Sequence, residues 1–194
     1  MIKLVTYDNP IPTHPTQTAR AVFLAGPTAR DGARTPWRQT AITALEHFAP
    51  DSSDASVVIP EFSEIGVTGA AFAAKWDDLS PSTIDGLRRS TQRVLDWETA
   101  WIERCRVLMF WCDFSDATPG KTTRCEVSRA IAQKQLWRDA GVTLATQELL
   151  IGVPRGADTT GHIKYHADRA NIKIYSDLIE LCAAASAALH GRVR

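Results

Sequence analysis

Val107-Leu108-Met109-Phe110-Trp111 is an unbroken apolar run of strand length, and helical patterns flank it on both sides. A strand with no polar face has to be buried on both faces, as in a parallel sheet covered by helices above and below. Other short apolar runs alternate with helical patterns along the chain, the signature of an α/β domain. The firm strands read from the sequence are Ala21 to Ala25, Val57 to Pro60, Val107 to Trp111, Glu148 to Val153 and Ile172 to Tyr175. Ile2 to Thr6 is a possible extra edge strand. Helices are expected at about Pro36 to Phe48, Leu87 to Arg104, Thr123 to Leu136 and His162 to Ala170, with a final helix after Tyr175. Pro36 suits a first helical turn, where its missing N–H would have no partner anyway. Residues 61 to 85 have weak periodicity and contain Gly66, Gly69, Ser80 and Pro81, which predicts a long loop with one short helix around Ala70 to Trp76.

At 194 residues the chain fits one domain, enough to bury roughly two thirds of its unfolded surface. Residues 1 to 19 read as an N-terminal extension and 20 to 194 as the domain proper. Lys plus Arg and Asp plus Glu both total 22, so there is no basic excess to bind a phosphate backbone, and a nucleic-acid polymer is a poor substrate. No apolar run approaches the roughly 18 residues that span a bilayer, and the N-terminus turns polar too early for a secretory signal. A cytoplasmic protein without membrane partners is expected. Cys105, Cys112, Cys125 and Cys182 lack metal or redox spacing and lie in apolar-periodic segments, which suits reduced, buried thiols.

In an open parallel sheet, ligands bind outside the carboxyl ends of the strands where the strand order switches. Gly26 to Thr35, Pro60 to about Trp76 and Cys112 to Thr123 are the loops placed there. Gly26-Pro27-Thr28 is either a strand-ending turn or a close approach to a ligand. Thr118-Pro119-Gly120-Lys121-Thr122-Thr123 is not a Walker loop, because Ser115 replaces the first glycine and Pro119 lacks an N–H. Backbone amides and hydroxyls at a helix start can still meet an anion or a sugar. Thr123-Arg124-Cys125-Glu126 has capping-box spacing, so Glu126 is either a helix cap or a carboxylate presented at the binding edge, its ionised form favoured by the helix dipole. Trp97-Glu98-x-x-Trp101 places a carboxylate between two indoles. Asp113 and Asp116 are turn formers or acceptors for sugar hydroxyls. His162 and His166 have metal-ligand spacing without the glutamate of a zinc motif, since position 163 is Ile; a solvated or interface role fits better.

Taken in order, Val22-Phe23-Leu24-Ala25-Gly26-Pro27-Thr28, Trp37-Arg38, Val58-Ile59-Pro60-Glu61, Trp97-Glu98-x-x-Trp101-Ile102, Val107 to Trp111, Thr118-Pro119-Gly120-x-Thr122-Thr123-x-x-Glu126 and Gly152-x-Pro154 resemble the nucleoside 2-deoxyribosyltransferase-like family over roughly residues 20 to 182. The resemblance implies a flavodoxin-like, five-stranded, doubly wound parallel sheet and no metal or organic cofactor. It also implies cleavage or exchange of an N-glycosidic bond through a covalent glycosyl ester on Glu126, with Glu98 beside the nucleobase as proton donor. Gly26, Pro27, Thr28, Trp37, Glu61, Trp97, Trp101, Asp113, Gly120, Thr122 and Thr123 are the expected substrate contacts, the two indoles as a flat surface for a base and Gly120 to Thr123 facing the sugar's 5′ side. The partners implied are a small nucleoside or nucleotide, a free nucleobase and a second copy of the chain, as homodimer or larger homo-oligomer, with His162, Tyr165 and His166 or the loop from Pro60 to Trp76 near the contact. Two departures stand out: Phe23 occupies a strand in which base-exchanging members carry a tyrosine, and Gly120 stands where many have an aspartate. An N-glycoside hydrolase acting on a nucleoside, a nucleotide or NAD and a non-catalytic nucleotide-binding module are the alternatives.

Overall fold

Ala21–Ala25 (β2) and Val107–Trp111 (β4) are buried at every residue and lie side by side in parallel, with Val22 opposite Val107 and Ala25 opposite Phe110. The computed structural model describes residues 2–14, 18–27, 36–50, 54–61, 84–114, 120–141, 147–157 and 160–191, with residues 84–90 as backbone alone. Around the central pair stand Lys3–Val5 (β1), Ser56–Val58 (β3), Glu148–Gly152 (β5) and Ile174–Tyr175 (β6), all parallel, in the order β1-β3-β2-β4-β5-β6. Among the described residues the sheet thus has six strands, where the firm sequence signals number five. The sixth is the edge strand at the N-terminus, which pairs Lys3 with Ser56 and Val5 with Val58.

Parallel neighbours need crossover connections. Pro36–Phe48 (α1) joins β2 to β3, Ile84–Arg104 (α2) lies between β3 and β4, Lys121–Asp139 (α3) joins β4 to β5, Gly161–Arg169 (α4) joins β5 to β6, and Leu178–Leu189 (α5) follows β6. Alternation along the strands divides the interior into two cores. Phe23, Leu108 and Phe110 meet Trp97, Trp101, Val127, Ile131 and Ile163 of α2, α3 and α4. Val22, Leu24, Met109 and Trp111 meet Trp37, Leu45, Leu181 and Ala185 of α1 and α5. The chain moves outward from β2 to β3 and then returns to β4 on the other side of β2, so the switch in strand order falls between β2 and β4. The crevice outside their carboxyl ends is where a ligand is expected in a sheet of this kind. Among the described residues no helix is long and apolar enough to cross a membrane.

Several expected boundaries move. The strand anticipated at Val57 to Pro60 is Ser56–Val58, although the Ile59 N–H still donates to the Val5 carbonyl at 2.9 Å. The last strand is only Ile174–Tyr175. The short helix expected around Ala70 to Trp76 lies outside the described residues. Most consequential is α3, which starts at Lys121, before Thr123, so the capping box does not form. Gly120 occupies the N-cap position in the left-handed region (φ 55°, ψ 42°), with no side chain capping the helix. A Cβ at Gly120 would stand 2.5 Å from the Phe114 ring. Only glycine accepts both the dihedral and the close ring, and the helix therefore begins immediately after it. The N-cap of α5 is conventional: the Asp177 carboxylate accepts from the Ile179 and Glu180 N–H groups at 2.8 and 2.9 Å.

Cys105, Cys112 and Cys182 are buried free thiols, and burial pushes Cys112 and Cys182 up to about 12. Cys125 departs from expectation: it is exposed, because it lies on the side of α3 facing away from Thr123, Val127 and Ile131.

Gly152 closes β5 against the indole of the central strand; a Cβ there would lie 2.4 Å from Trp111 Cε3 and 2.8 Å from Leu181 Cδ2. Gly152→Ala should lower the denaturant-unfolding free energy by about 1–3 kcal/mol through overpacking. Gly161→Ala, where no atom lies within 4 Å of the added carbon, should change it by less than about 1 kcal/mol. Equal midpoints for the two variants would contradict this packing at the end of β5.

Candidate active site

The carboxyl end of β2 is shaped by what packs on it. A Cβ at Gly26 would fall 2.5 Å from the Trp37 ring and 2.7 Å from the Trp111 carbonyl oxygen, so glycine lets the ends of β2 and β4 close on α1. Trp37 is itself buried and donates its indole N–H to the Pro27 carbonyl at 3.2 Å. Arg38 has no solvent exposure. Its guanidinium donates to the Gly26 carbonyl at 2.9 Å, to the Leu24 carbonyl at 3.4 Å and to Glu61 Oε1 at 2.6 Å. Gly26, Pro27, Trp37 and Glu61 are thus framework at the head of the sheet, and Glu61 is the counterion of Arg38. Pro27 also meets the α3 terminus, since a Cβ on Gly120 would be 3.6 Å from Pro27 Cβ. Thr28 and Asp116 lie outside the described residues.

Trp97 and Trp101 are core residues, 1% and 4% exposed. Trp97 donates its indole N–H to the Asn9 carbonyl at 2.9 Å and packs edge-on against Tyr7, ring centroids 4.8 Å apart. Neither ring has a face open to a base, which corrects the expectation of a stacking platform. The helical period explains the difference: with position 97 facing the sheet, 101 returns to the same side and 98 turns toward α3.

Between α2 and α3 lies a cavity of about 460 Å³, floored by Leu108 of β4 and Leu149 of β5. Glu98 enters it from α2; Thr122, Cys125 and Glu126 enter it from α3. Thr123 is buried, and Asp113 is exposed on the loop after β4. The sequence-derived pair Glu98 and Glu126 therefore shares one cavity, joined by Thr122, while the rest of the expected contact set frames the neighbouring strand ends, fills the core or faces solvent.

Both carboxyls hold protons above the usual carboxylate range. Burial is the main cause for Glu126, the negative charge of Glu98 adds to it, the Arg38 cation opposes it, and the group is pushed up to about 7. Burial also raises Glu98, against the lowering effects of a hydrogen bond from Tyr7 and of Arg38. Like charges in one cavity resist joint ionisation, and the Glu98 charge is one reason that Glu126 holds its proton.

Two residues of this site carried no role in the sequence reading. Arg38 is the cation that moderates both carboxyls. Tyr7, at the end of β1, donates its phenol hydrogen to Glu98 Oε1 across 91 positions of chain. No local pattern links residue 7 to residue 98; the only available signal was the strand propensity of residues 2 to 6, which carries the chain to the sheet edge. His162 and His166 lie on the exposed side of α4 with their Nε2 atoms 3.0 Å apart, beside exposed Tyr165. No family model matches this chain, and no curated protein matches it.

A raised carboxyl has a definite linkage sign. The folded protein binds the Glu126 proton more tightly than the unfolded chain, so this group favours folding at low pH and the advantage fades as pH climbs from the ordinary 4.5 through about 7. Urea midpoints measured from pH 5 to pH 8 should show a decline over that window that Glu126→Gln flattens. An identical decline in the variant would mean that Glu126 titrates as an ordinary surface carboxylate.

Proposed function

We propose that this chain is an enzyme that cleaves or exchanges the N-glycosidic bond of a nucleoside or nucleotide, in the manner of the nucleoside 2-deoxyribosyltransferase-like proteins its sequence resembles. The observation that carries this reading is the pair of half-buried, proton-retaining carboxyls, Glu98 and Glu126, that enter one cavity from the helices flanking the central strand. Two such carboxyls are the minimum equipment for glycosidic chemistry: one ionised to attack or stabilise the anomeric centre, one protonated to release the leaving group. The strand order supports the same family. Without β1 it reads second, first, third, fourth, fifth, the flavodoxin-like arrangement.

In this mechanism the Glu126 carboxylate attacks C1′ as the C1′–N bond breaks. The bond's electron pair passes to the base nitrogen, and Glu98 supplies the proton that the departing base takes up. The product is a glycosyl ester on Glu126, which a second nucleophile opens from the same face with net retention. A free base as that nucleophile makes the protein a transferase; water makes it a hydrolase. The productive form has Glu126 ionised and Glu98 protonated, the reverse of the distribution in which the Glu98 charge holds the proton on Glu126. Absence of the capping box favours catalysis over a binding-only module, because Glu126 has no structural duty at the helix start.

Chromatography of 2′-deoxynucleosides, ribonucleosides, their monophosphates and NAD, each with and without an added free base, tests the reading directly. Glu126→Gln should reduce turnover by more than about a thousandfold. Full activity in that variant sinks the assignment. In wild type, kcat/KM should rise as pH climbs through about 7, because Glu126 holds its proton up to that point and only the ionised carboxylate attacks.

A further inference from the structure

The N-terminal segment is fastened to α2 and to the sheet edge at successive points. The Tyr7 N–H donates to the Glu61 carbonyl at 3.0 Å, the Asn9 carbonyl accepts from Trp97 Nε1 at 2.9 Å, and the Pro12 carbonyl accepts from Arg104 Nη1 at 2.9 Å. Between the first two anchors the chain turns on itself. Asn9 Oδ1 accepts from the Thr6 N–H at 2.8 Å, and the Asn9 N–H donates to the Thr6 carbonyl at 2.9 Å. Residue 7 is held by both backbone and ring: the backbone is bonded to the segment after β3, and the ring lies edge-on to Trp97 at an interplanar angle of 61°. This mounting aims the phenol at Glu98 Oε1.

We infer that Tyr7, carried by the edge strand, is a positioning residue that locks the Glu98 carboxyl by engaging Oε1 and so directs the exchangeable proton of Glu98 to Oε2, the oxygen left for substrate. The inference rests on the glycosidic reading for its catalytic consequence, whereas the lock itself is a property of the folded chain. A phenol is suited to the task because it donates without ionising. Burial, followed by the adjacent Glu98 charge, raises Tyr7 well above 10, so it remains a donor throughout the range in which the carboxyls titrate. Among the described residues, the groups that shift Glu98 and Glu126 are Tyr7 from the N-terminal segment and Arg38 from α1, besides Glu98 acting on Glu126, and the charged groups Glu103 of α2 and Arg129 and Lys134 of α3 line the same cavity. In the transfer the Glu98 Oε2–H bond breaks, a base N–H bond forms, and the C1′–N electron pair goes to that nitrogen, so Oε2 must face the base while Oε1 is held.

Tyr7→Phe in the full chain removes the donor and keeps the ring against Trp97. Infrared spectra from pH 5 to pH 9 read the lock without any substrate, the Glu98 band being identified by its absence in Glu98→Gln. In Tyr7→Phe the protonated C=O stretch should move to higher frequency, and its titration should move to higher pH, because the phenol bond stabilises the Glu98 anion. With 2′-deoxyinosine, whose base leaves with a proton, and 4-nitrophenyl 2-deoxyriboside, whose leaving group needs none, Tyr7→Phe should lose at least about tenfold in kcat/KM on the first and much less on the second. An unchanged infrared band, or equal losses on the two probes, overturns the role of Tyr7. Turnover of 2′-deoxyinosine by Glu126→Gln overturns the glycosidic reading instead, and the infrared band still decides whether Tyr7 locks Glu98.

Discussion

The head of this sheet depends on one buried cation. Arg38 reaches from α1 to two carbonyls at the end of β2 and to Glu61 after β3, with no solvent contact. A guanidinium in such a place is tolerable only when its donors are met, and two backbone oxygens and a carboxylate accept from this one. The same three bonds fix the ends of two strands and the first turn of a helix relative to one another. The Glu61 backbone then accepts the N–H of Tyr7. The N-terminal segment, the sheet edge and α1 are therefore registered around a single charge, and that charge draws Glu98 and Glu126 back toward ionisation while burial and mutual repulsion push them the other way.

What could be read from the sequence was what local residues decide. Ala21–Ala25, Pro36–Phe48 and Val107–Trp111 have the expected bounds, because a fully apolar run and a proline-led amphipathic helix depend on little beyond themselves. The carboxyl pair was visible for a related reason: both glutamates lie at helical positions flanking the central strand, and the fold brings those helices to one cavity. The rest was set at a distance. Thr-x-x-Glu has the spacing of a capping box, yet the contact of Phe114 with Gly120 fixes the helix start two residues before Thr123. Two tryptophans around a glutamate suggest a platform for a base, yet the sheet claims both indoles, one of them bonded to the N-terminal segment. Tyr7 was invisible because its partner is 91 residues away and its strand is only three residues long.

The position of Glu126 within α3 changes the electrostatics expected of it. At the start of a helix a carboxylate gains from the exposed N–H groups and its proton affinity falls. Glu126 is the sixth residue of Lys121–Asp139, beyond the first turn, where that benefit has largely faded. Burial then dominates, and the group is raised to about 7 where a helix-start position alone would lower it. In the proposed reaction the nucleophile Glu126 cannot rely on the helix to ionise it. In that proposal its charge depends on which of the two carboxyls holds a proton, which ties Glu98 to the reactivity of Glu126 as well as to leaving-group departure. Groups that favour a proton on Glu98 favour an anion on Glu126, and groups that stabilise the Glu98 anion oppose it. The Tyr7 phenol is of the second kind in energy, since its bond lowers the proton affinity of Glu98, and of the first kind in geometry, since it leaves Oε2 to hold the proton. Arg38 acts on both carboxyls in the same direction and so limits the total number of protons. On the proposed mechanism the site has two separable controls, a cation that favours ionisation of both carboxyls and a phenol that orients the carboxyl from which a proton would leave.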